Sequence, residues 1–547
     1  MSAPSVLDTR VLLLLASAAL VIWFSNLDSR KLIKPDEGRY AEISREMAAS
    51  RDWVTPRLNG IKYFEKPPLH YWVTSTAFSL FGPREWTARL WSALSGVLGV
   101  ILAWYGGQRL FGAAAGVYAA VVLCSSLMYV VVGHLNTLDM GLTLFLFAAL
   151  CAFLLAQRDQ ATARENAVWM HTAWAAMAGA VLSKGLVGMV IPGATLVLYT
   201  LIQRDWRPWG RLHLISGSLL FLAITAPWFV LVSLRNPEFA WFFFVHEHFL
   251  RYTTTIHLRV EPWYYFLPLL IAGLLPWTIV TADAAWRSWK PQPGDKFQVR
   301  RFLLIWCAFV ILFFSTSGSK LPPYILPLFP AAALLTGWRL TFMKGATLAR
   351  RLAPFTLLGA AALIALPFIN SSGDTPLGLI QDFKPWIAAA ALVIVATAAY
   401  AAWISHRGNV PRAVVVTGLA GLFSIQLIVT GHESLSPSTS AYRMAQRVKP
   451  YLKPGIPFYS VGTYDQTLDF YLGRTVTLVQ YRDEMDYGLK QEPHLAIPTV
   501  GEWMEIWKQE PYALAMMDKL LYEQLHASGF PMQLIANDHR RFYIKTP

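Results

Sequence analysis

The sequence predicts an α-helical protein that crosses a membrane about thirteen times and ends in a small α/β domain outside it. Three observations point there. Of 547 residues, 55% are hydrophobic and 15% charged, with a mean hydropathy of +0.40. Apolar runs of roughly 18 to 22 residues recur, each long enough to cross the hydrocarbon core as a helix. After Glu433 that pattern stops, and Pro437, Pro450, Pro454 and Pro457 punctuate a polar region.

The candidate spans lie at about 10–27, 87–108, 113–132, 137–156, 167–183, 186–202, 212–233, 262–284, 301–316, 322–341, 352–369, 386–404 and 411–430. Only Ser183-Lys184-Gly185 separates the fifth from the sixth. The first follows Arg10 and reads as an uncleaved signal-anchor, because the run is long and no clear small-residue cleavage site follows.

Loop charge sets the orientation. One set of loops holds Arg109; Arg158 and Arg164; Arg204, Arg207 and Arg211; Arg287, Lys290, Lys296, Arg300 and Arg301; Arg339, Lys344, Arg350 and Arg351; Arg407 and Arg412. The alternating short loops hold far fewer, so the first set is expected in the cytoplasm. An odd number of spans then places the long first loop and the C-terminus on the opposite face, the periplasm of a bacterial inner membrane. The same rule, with lipid headgroups, accounts for the net charge of +14. No basic patch marks a soluble segment, so nucleic-acid binding is excluded. Cys124, Cys151 and Cys307 fall inside apolar runs and read as small buried hydrophobes.

The expected organisation is a transmembrane domain over 1–432, with outward loops 28–86 and 234–262, and a periplasmic α/β domain over 433–547. In the latter, strand-like runs at Pro457–Val461, Thr475–Val479, Ala513–Met517, Met532–Ile535 and Phe542–Ile544 alternate with helix-like runs at Asp465–Leu472, Val500–Lys508 and Lys519–Ala527.

Ionisable residues concentrate between Lys34 and Tyr71, just past the first span. Asp36, Glu37, Arg39, Glu42, Arg45, Glu46, Glu65 and Lys66 share this loop. Charge at a bilayer edge needs water or a partner, which makes the loop a candidate site. Tyr40, Ile43 and Met47 recur at helical spacing and predict an amphipathic helix along the membrane surface. Asp36-Glu37 after Pro35 reads two ways: a first turn complementing the helix dipole, or a carboxylate held where a lipid-linked head group enters. Asp139, in GHLNTLDM, lies in the first turn of another outward helix, after Asn136 and Thr137 as caps. Two such carboxylates are the minimum set for a shared acid/base site.

Glu65-Lys66 sits between Tyr63-Phe64 and Pro67-Pro68. It reads as a surface ion pair or as a lysine placed for a lipid phosphate. Arg251, close to His246 and His248, is the other phosphate clamp read from the loops. His246 with Glu65 is alternatively a divalent-metal pair, for an ion such as zinc. Lys320 and Tyr324 flank prolines at the start of a later span. The substrate-binding set is thus Glu37, Tyr63, Lys66, Arg251, Lys320 and Tyr324. His134, His171 and His432 read as structural or interfacial.

PDEGRYAEISREM followed by YFEKPPLHYW resembles the polyprenyl-phosphate-dependent glycosyltransferases of the GT-C fold, and within them the bacterial lipid A aminoarabinose transferases. The likeness takes in the whole length, although Pro68, Leu69 and His70 depart from the small residues that follow YFEKP in that family. It implies transfer of 4-amino-4-deoxy-L-arabinose from undecaprenyl phosphate to a lipid A phosphate on the periplasmic face, a modification tied to resistance to cationic peptides such as polymyxin. By the same resemblance Asp36 is the key carboxylate and Asp139 the second. No cofactor is required by it. The incoming phosphate is already ionised, so Asp36 is expected to orient the acceptor or to pair with the donor's ammonium and the positive anomeric centre. A hydroxyl acceptor would instead need it as a base. The alternatives are a GT-C transferase for another polyprenyl-linked sugar or a protein acceptor, and a lipid-linked sugar transporter. A transporter would carry ionisable groups at midmembrane, whereas here they cluster at one face.

Overall fold

Apolar helices make up most of the computed structural model, which describes residues 9–250, 261–369 and 375–547. The chain divides into two units. One holds Met1–Leu27, Trp91–Ile369 and Lys384–Gly431; the other holds Asp28–Leu90, Asn370–Phe383 and His432–Pro547.

In the first unit every expected span has a helical counterpart. Among the described residues six helices are long and apolar enough to cross a membrane, and two bent pairs raise that to eight. The count falls short of thirteen for identifiable reasons. Thr9–Phe24, Val187–Gln203 and Val299–Ser315 are short, with 16, 17 and 17 residues, and the expected span 322–341 is divided between the tight helical turn Pro322–Leu328 and the 12-residue helix Phe329–Leu340. Ala163–Lys184 is long enough, but Arg164, Glu165 and Asn166 open it with a polar turn. The pair Ala113–Cys124 and Leu127–Gly133 bends by 64°, and Phe266–Gly273 with Thr278–Ser288 bends by 110° around Pro276, which has no N–H to continue a helix.

Helices approach closely where side chains are absent. A Cβ on Gly337 would stand 2.6 Å from the Ala115 carbonyl oxygen, so Phe329–Leu340 meets Ala113–Cys124 backbone to backbone. His134 is structural, as expected. Its Nδ1 lies 2.6 Å from the Val130 carbonyl, its Nε2 lies 2.7 Å from the Trp23 carbonyl, and Gln426 approaches the same Nε2 at 2.8 Å.

The second unit carries the α/β sheet. A hairpin, β1 (Arg57–Leu58) and β2 (Ile61–Lys62), comes first. β3 (Phe458–Val461), β4 (Thr477–Val479), β5 (Ala496–Ile497), β6 (Leu514–Asp518), β7 (Gln533–Asn537) and β8 (Arg541–Lys545) form one sheet in the order β5-β4-β3-β6-β8-β7. β3 to β6 are parallel; β8 and β7 close one edge antiparallel. Val461, Ala515, Met517 and Ile544 meet Trp503 and Trp507 of the helix Val500–Gln509 in the core. Thr499 caps that helix through the Glu502 N–H, and Asp518 caps Lys519–Ala527 through Leu521.

The predicted surface helix is Asp36–Ser50, but it does not lie with its charges in water. Glu37, Arg39 and Glu42 are buried with Tyr40, Ile43 and Met47. Pairing makes this burial tolerable: Arg45 Nε and Nη2 grip Glu42 at 2.7 and 2.6 Å. The helix packs on Gln466–Leu472, and a Cβ on Gly38 would reach the Gln466 carbonyl at 2.7 Å. Arg57 binds Glu492 in bidentate fashion, and Asn59 exchanges two 2.8 Å hydrogen bonds with the Val476 backbone. The loop expected to belong with the membrane helices therefore shares a unit with the C-terminal segment.

Candidate active site

Two clusters carry the candidate chemistry, one in each unit. In the second unit Pro35 occupies the N-cap position of Asp36–Ser50, with no side-chain capping bond. Asp36 therefore is not spent on capping. Its side chain is 42% exposed, and its Oδ1 accepts from Arg39 Nη1 at 2.8 Å. Arg39, one turn on, also grips Glu484. Burial pulls the Arg39 guanidinium down, but Tyr63, Glu484 and Asp36 together hold it well above its ordinary value. Burial pushes the Glu484 carboxyl up, against the pull of Arg39.

Tyr63 is 2% exposed and Tyr71 is fully buried. Burial raises both phenols, with Glu65 adding to the effect. Neither hydroxyl has a hydrogen-bond partner among the described residues. A buried hydroxyl without a partner is costly, so each is open to a partner that the described residues do not supply. Lys66 donates to the Glu65 carbonyl at 2.9 Å, and its ammonium lies 4.0 Å from the Glu65 carboxylate. That is a loose pair, not a closed bridge.

Glu37 is different from its neighbour. Its two oxygens accept from Arg89 at 2.8 and 3.0 Å, from Arg30 at 2.9 Å and from the Ile33 N–H at 3.0 Å. At 2% exposure it faces away from solvent. A carboxylate so occupied anchors the first turn of the helix.

In the first unit Asp139 lies in the first turn of Leu138–Ala156, behind Thr137, which makes no side-chain cap. Lys184 grips its Oδ1. The same ammonium stands 4.7 Å from the centroid of the Tyr324 ring, a cation–π contact. The short turn between two apolar helices thus delivers the lysine to the second carboxylate. Lys320, 7% exposed, donates to the Ser317 carbonyl at 2.9 Å and the Glu261 carbonyl at 3.0 Å. Two neutral acceptors leave its charge uncompensated by any carboxylate that these bonds name.

His246 sits in the helix Trp241–Leu250, stacked on Phe242 at 4.9 Å, with Nδ1 at 3.2 Å from Glu247 Oε1. Arg251 lies outside the described residues, as do His257 and Arg259. Among the described residues no three His, Cys, Asp or Glu side chains gather in a metal-holding group. Of the expected metal ligands, Glu65 belongs to the second unit and His246 to the first.

Four residues of these clusters were outside the expected catalytic and binding set: Arg39, Tyr71, Lys184 and Glu484. Arg39 had a legible signal, one helical turn from Asp36. Lys184 had another, as a lone charge in a three-residue turn between apolar helices. Glu484 had none, because 445 residues of chain separate it from Arg39.

Residues 65–231 match the family described as dolichyl-phosphate-mannose-protein mannosyltransferase, and 444–546 match the aminoarabinose transferase C-terminal domain. The chain is 34% identical over 331 residues to an undecaprenyl phosphate-α-4-amino-4-deoxy-L-arabinose arabinosyl transferase of Erwinia tasmaniensis, covering 60% of this chain and 59% of the relative. The stretch aligned thus spans about three fifths of that relative's length. To a transferase of the same description from Sodalis glossinidius it is 30% identical over 403 residues, 72% of this chain and 69% of that one. A crystal structure of ArnT from Cupriavidus metallidurans bound to undecaprenyl phosphate superposes with a TM-score of 0.94 at 40% identity, covering 98% of both chains.

Proposed function

The chain belongs to the family of undecaprenyl phosphate-aminoarabinose arabinosyl transferases, and from that premise we propose that it moves 4-amino-4-deoxy-L-arabinose from undecaprenyl phosphate to a phosphate of lipid A. It is a multi-pass membrane protein of the bacterial inner membrane in this reading, with the reaction on the periplasmic face. The observation that carries the reading is the likeness over 98% of both chains to a relative holding undecaprenyl phosphate.

In the reaction an oxygen of the acceptor phosphate bonds to C1 of the sugar. The C1–O bond to undecaprenyl phosphate breaks, and its electron pair leaves with that phosphate. The acceptor is ionised near neutral pH and needs no strong base. Cations must answer the charge that builds on the leaving phosphate. Lys66, Lys184 and Lys320 are the described candidates, with Arg251 beside them in sequence reasoning. Asp36 keeps Oδ1 on Arg39, with 42% of its side chain exposed. Its role is to pair with the sugar's ammonium and the positive charge at C1. Asp139 holds Lys184 in place. Tyr63 and Tyr71 offer hydroxyls to the polar substrate.

The match to protein mannosyltransferases over 65–231 favours a second reading, transfer to a protein hydroxyl, in which Asp36 becomes the base. Mass spectrometry of lipid A separates the two. The host is a Gram-negative strain that makes the lipid-linked aminosugar but lacks its own transferase. The intact gene is expected to add an aminopentose, and the empty vector and Asp36→Ala are not. A membrane-inserted protein that adds nothing to lipid A would overturn the first reading, and a sugar-bearing peptide would establish the second.

A further inference from the structure

Asp283, in the helix Thr278–Ser288, accepts from three guanidiniums. Arg287 Nε reaches its Oδ1 at 3.0 Å, Arg351 Nη1 reaches Oδ2 at 2.7 Å, and Arg339 Nε shares that Oδ2. The three arginines come from Thr278–Ser288, Phe329–Leu340 and Gly345–Ala365. All lie in the first unit and on the loop set rich in Lys and Arg.

One carboxylate cannot use three forks. Each guanidinium has five N–H donors. Beyond Asp283, the one further acceptor for the three among the described residues is Met343 Sδ, 3.9 Å from Arg351 Nη1. Arg339 is 9% exposed, and none of its nitrogens is both buried and without a partner, so its unfilled N–H groups face the surface. Helix capping accounts for part of the charge. Two helices end here and one begins, and each terminus carries about half a charge. Asp283 and these termini still leave the three arginines with net positive charge.

The surroundings say what fits. Trp286 is 81% exposed, Trp289 52% and Phe342 70%, at the same helix ends. Aromatics so exposed on a membrane protein belong at the headgroup level. Arg301 donates to the Trp289 carbonyl at 2.6 Å, and Arg300 stacks on Trp338 at 4.3 Å, extending a basic, aromatic rim.

We propose that Arg287, Arg339 and Arg351 bind the phosphate headgroup of an anionic phospholipid. Asp283 pre-aligns the three guanidiniums, and their remaining N–H groups take the phosphate oxygens. The flanking tryptophans and Phe342 pack against the glycerol and upper chains. A free phosphate would use the arginines but not this apolar rim, so the ligand is a lipid. The site shares no residue with the carboxylate clusters assigned to transfer and ties three helices together through one bound lipid.

The test uses the purified full-length protein in detergent, with native mass spectrometry and thermal unfolding as readouts. Phosphatidylglycerol, phosphatidylcholine and inorganic phosphate are added separately. The intact protein is expected to retain phosphatidylglycerol over phosphatidylcholine and to unfold at higher temperature with it. Arg287→Gln and Arg351→Gln are each expected to weaken phosphatidylglycerol binding about tenfold, with phosphatidylcholine unaffected. Equal retention of the two lipids by the intact protein would overturn the proposal, whatever the variants do. So would unchanged phosphatidylglycerol binding in a folded Arg287→Gln protein, whose altered side chain is 52% exposed and free to change without loss of fold. Full stabilisation by inorganic phosphate alone would overturn the lipid assignment.

Discussion

Arg89 and Glu37 form a buried pair, Nε to Oε1 at 2.8 Å, with 1% and 2% of their side chains exposed. The next carboxylate, Asp36, is 42% exposed. Adjacent acids thus have opposite fates, and the buried one holds the first helical turn that presents the other.

Removing one partner of the buried pair is expected to unfold more than it inactivates. Arg89→Leu leaves Glu37 with Arg30 as its remaining guanidinium and should cost about 3–5 kcal/mol. Thermal unfolding in detergent reads this as a lowered midpoint. Asp36→Asn should leave the midpoint where it is.

Asp36→Asn should instead lower turnover, by about 10²–10³-fold, with donor binding little changed. The pH–rate profile of the residual activity should keep the shape of the parent. A rising limb that disappears in the variant would assign Asp36 as a base and favour a hydroxyl acceptor.

Lys184 and Asp139 should behave as one unit. Lys184→Met and Asp139→Asn each reduce transfer, and the double variant should lose no more than the worse single one. A double-mutant cycle on kcat/KM measures this as a coupling of about 0.5–3 kcal/mol. Additive losses would show that the two act separately.

Asp465 and Asp469 lie one turn apart, both wholly buried. Burial pushes each carboxyl up, but Arg541, the Thr467 hydrogen bonds and Arg540 together outweigh this for Asp465, whose pKa lies below its ordinary value. At Asp469 burial and then Glu42 act together, so its pKa is held well above. The ionised form of Asp469 is therefore disfavoured in the folded protein, and its Oδ2 accepts from the Tyr464 hydroxyl at 2.8 Å. Asp469→Asn is expected to be nearly neutral for stability, and Asp465→Asn to lower the unfolding midpoint sharply.

Burial lowers Lys34 to about 8, with Arg541 and Arg540 adding repulsion. The unfolded lysine titrates near its ordinary value of about 10.4. Between those values the unfolded chain binds more protons, so this group's contribution to stability rises with pH over that window and is flat below it. The gain in unfolding midpoint from pH 8 to 10 should be larger in the intact protein than in Lys34→Met.

The span pattern was legible because a bilayer demands long apolar runs, and Glu85–Phe111 or Leu377–His406 satisfy that demand without help from neighbours. The strands β3, β4, β6, β7 and β8 were legible as short β-prone runs between turns. β5, with two residues, was too short to register. At the site, Asp36 and Asp139 stood out as acids at helix starts. The orientation of the helix Asp36–Ser50 did not, since a surface helix and a buried one whose charges are all paired share the same spacing of Tyr40, Ile43 and Met47.

By itself the sequence determined the membrane class, the helix-forming segments, the terminal α/β sheet and the two candidate carboxylates. These follow from local composition, where hydropathy and period act over a few turns. Tertiary structure alone decided which charges are spent and which are presented. Glu37 is consumed by Arg30 and Arg89, Asp139 receives Lys184, and Arg39 meets Glu484 across 445 residues. Pairing of buried charge depends on distance in space, and chain spacing carries no record of it.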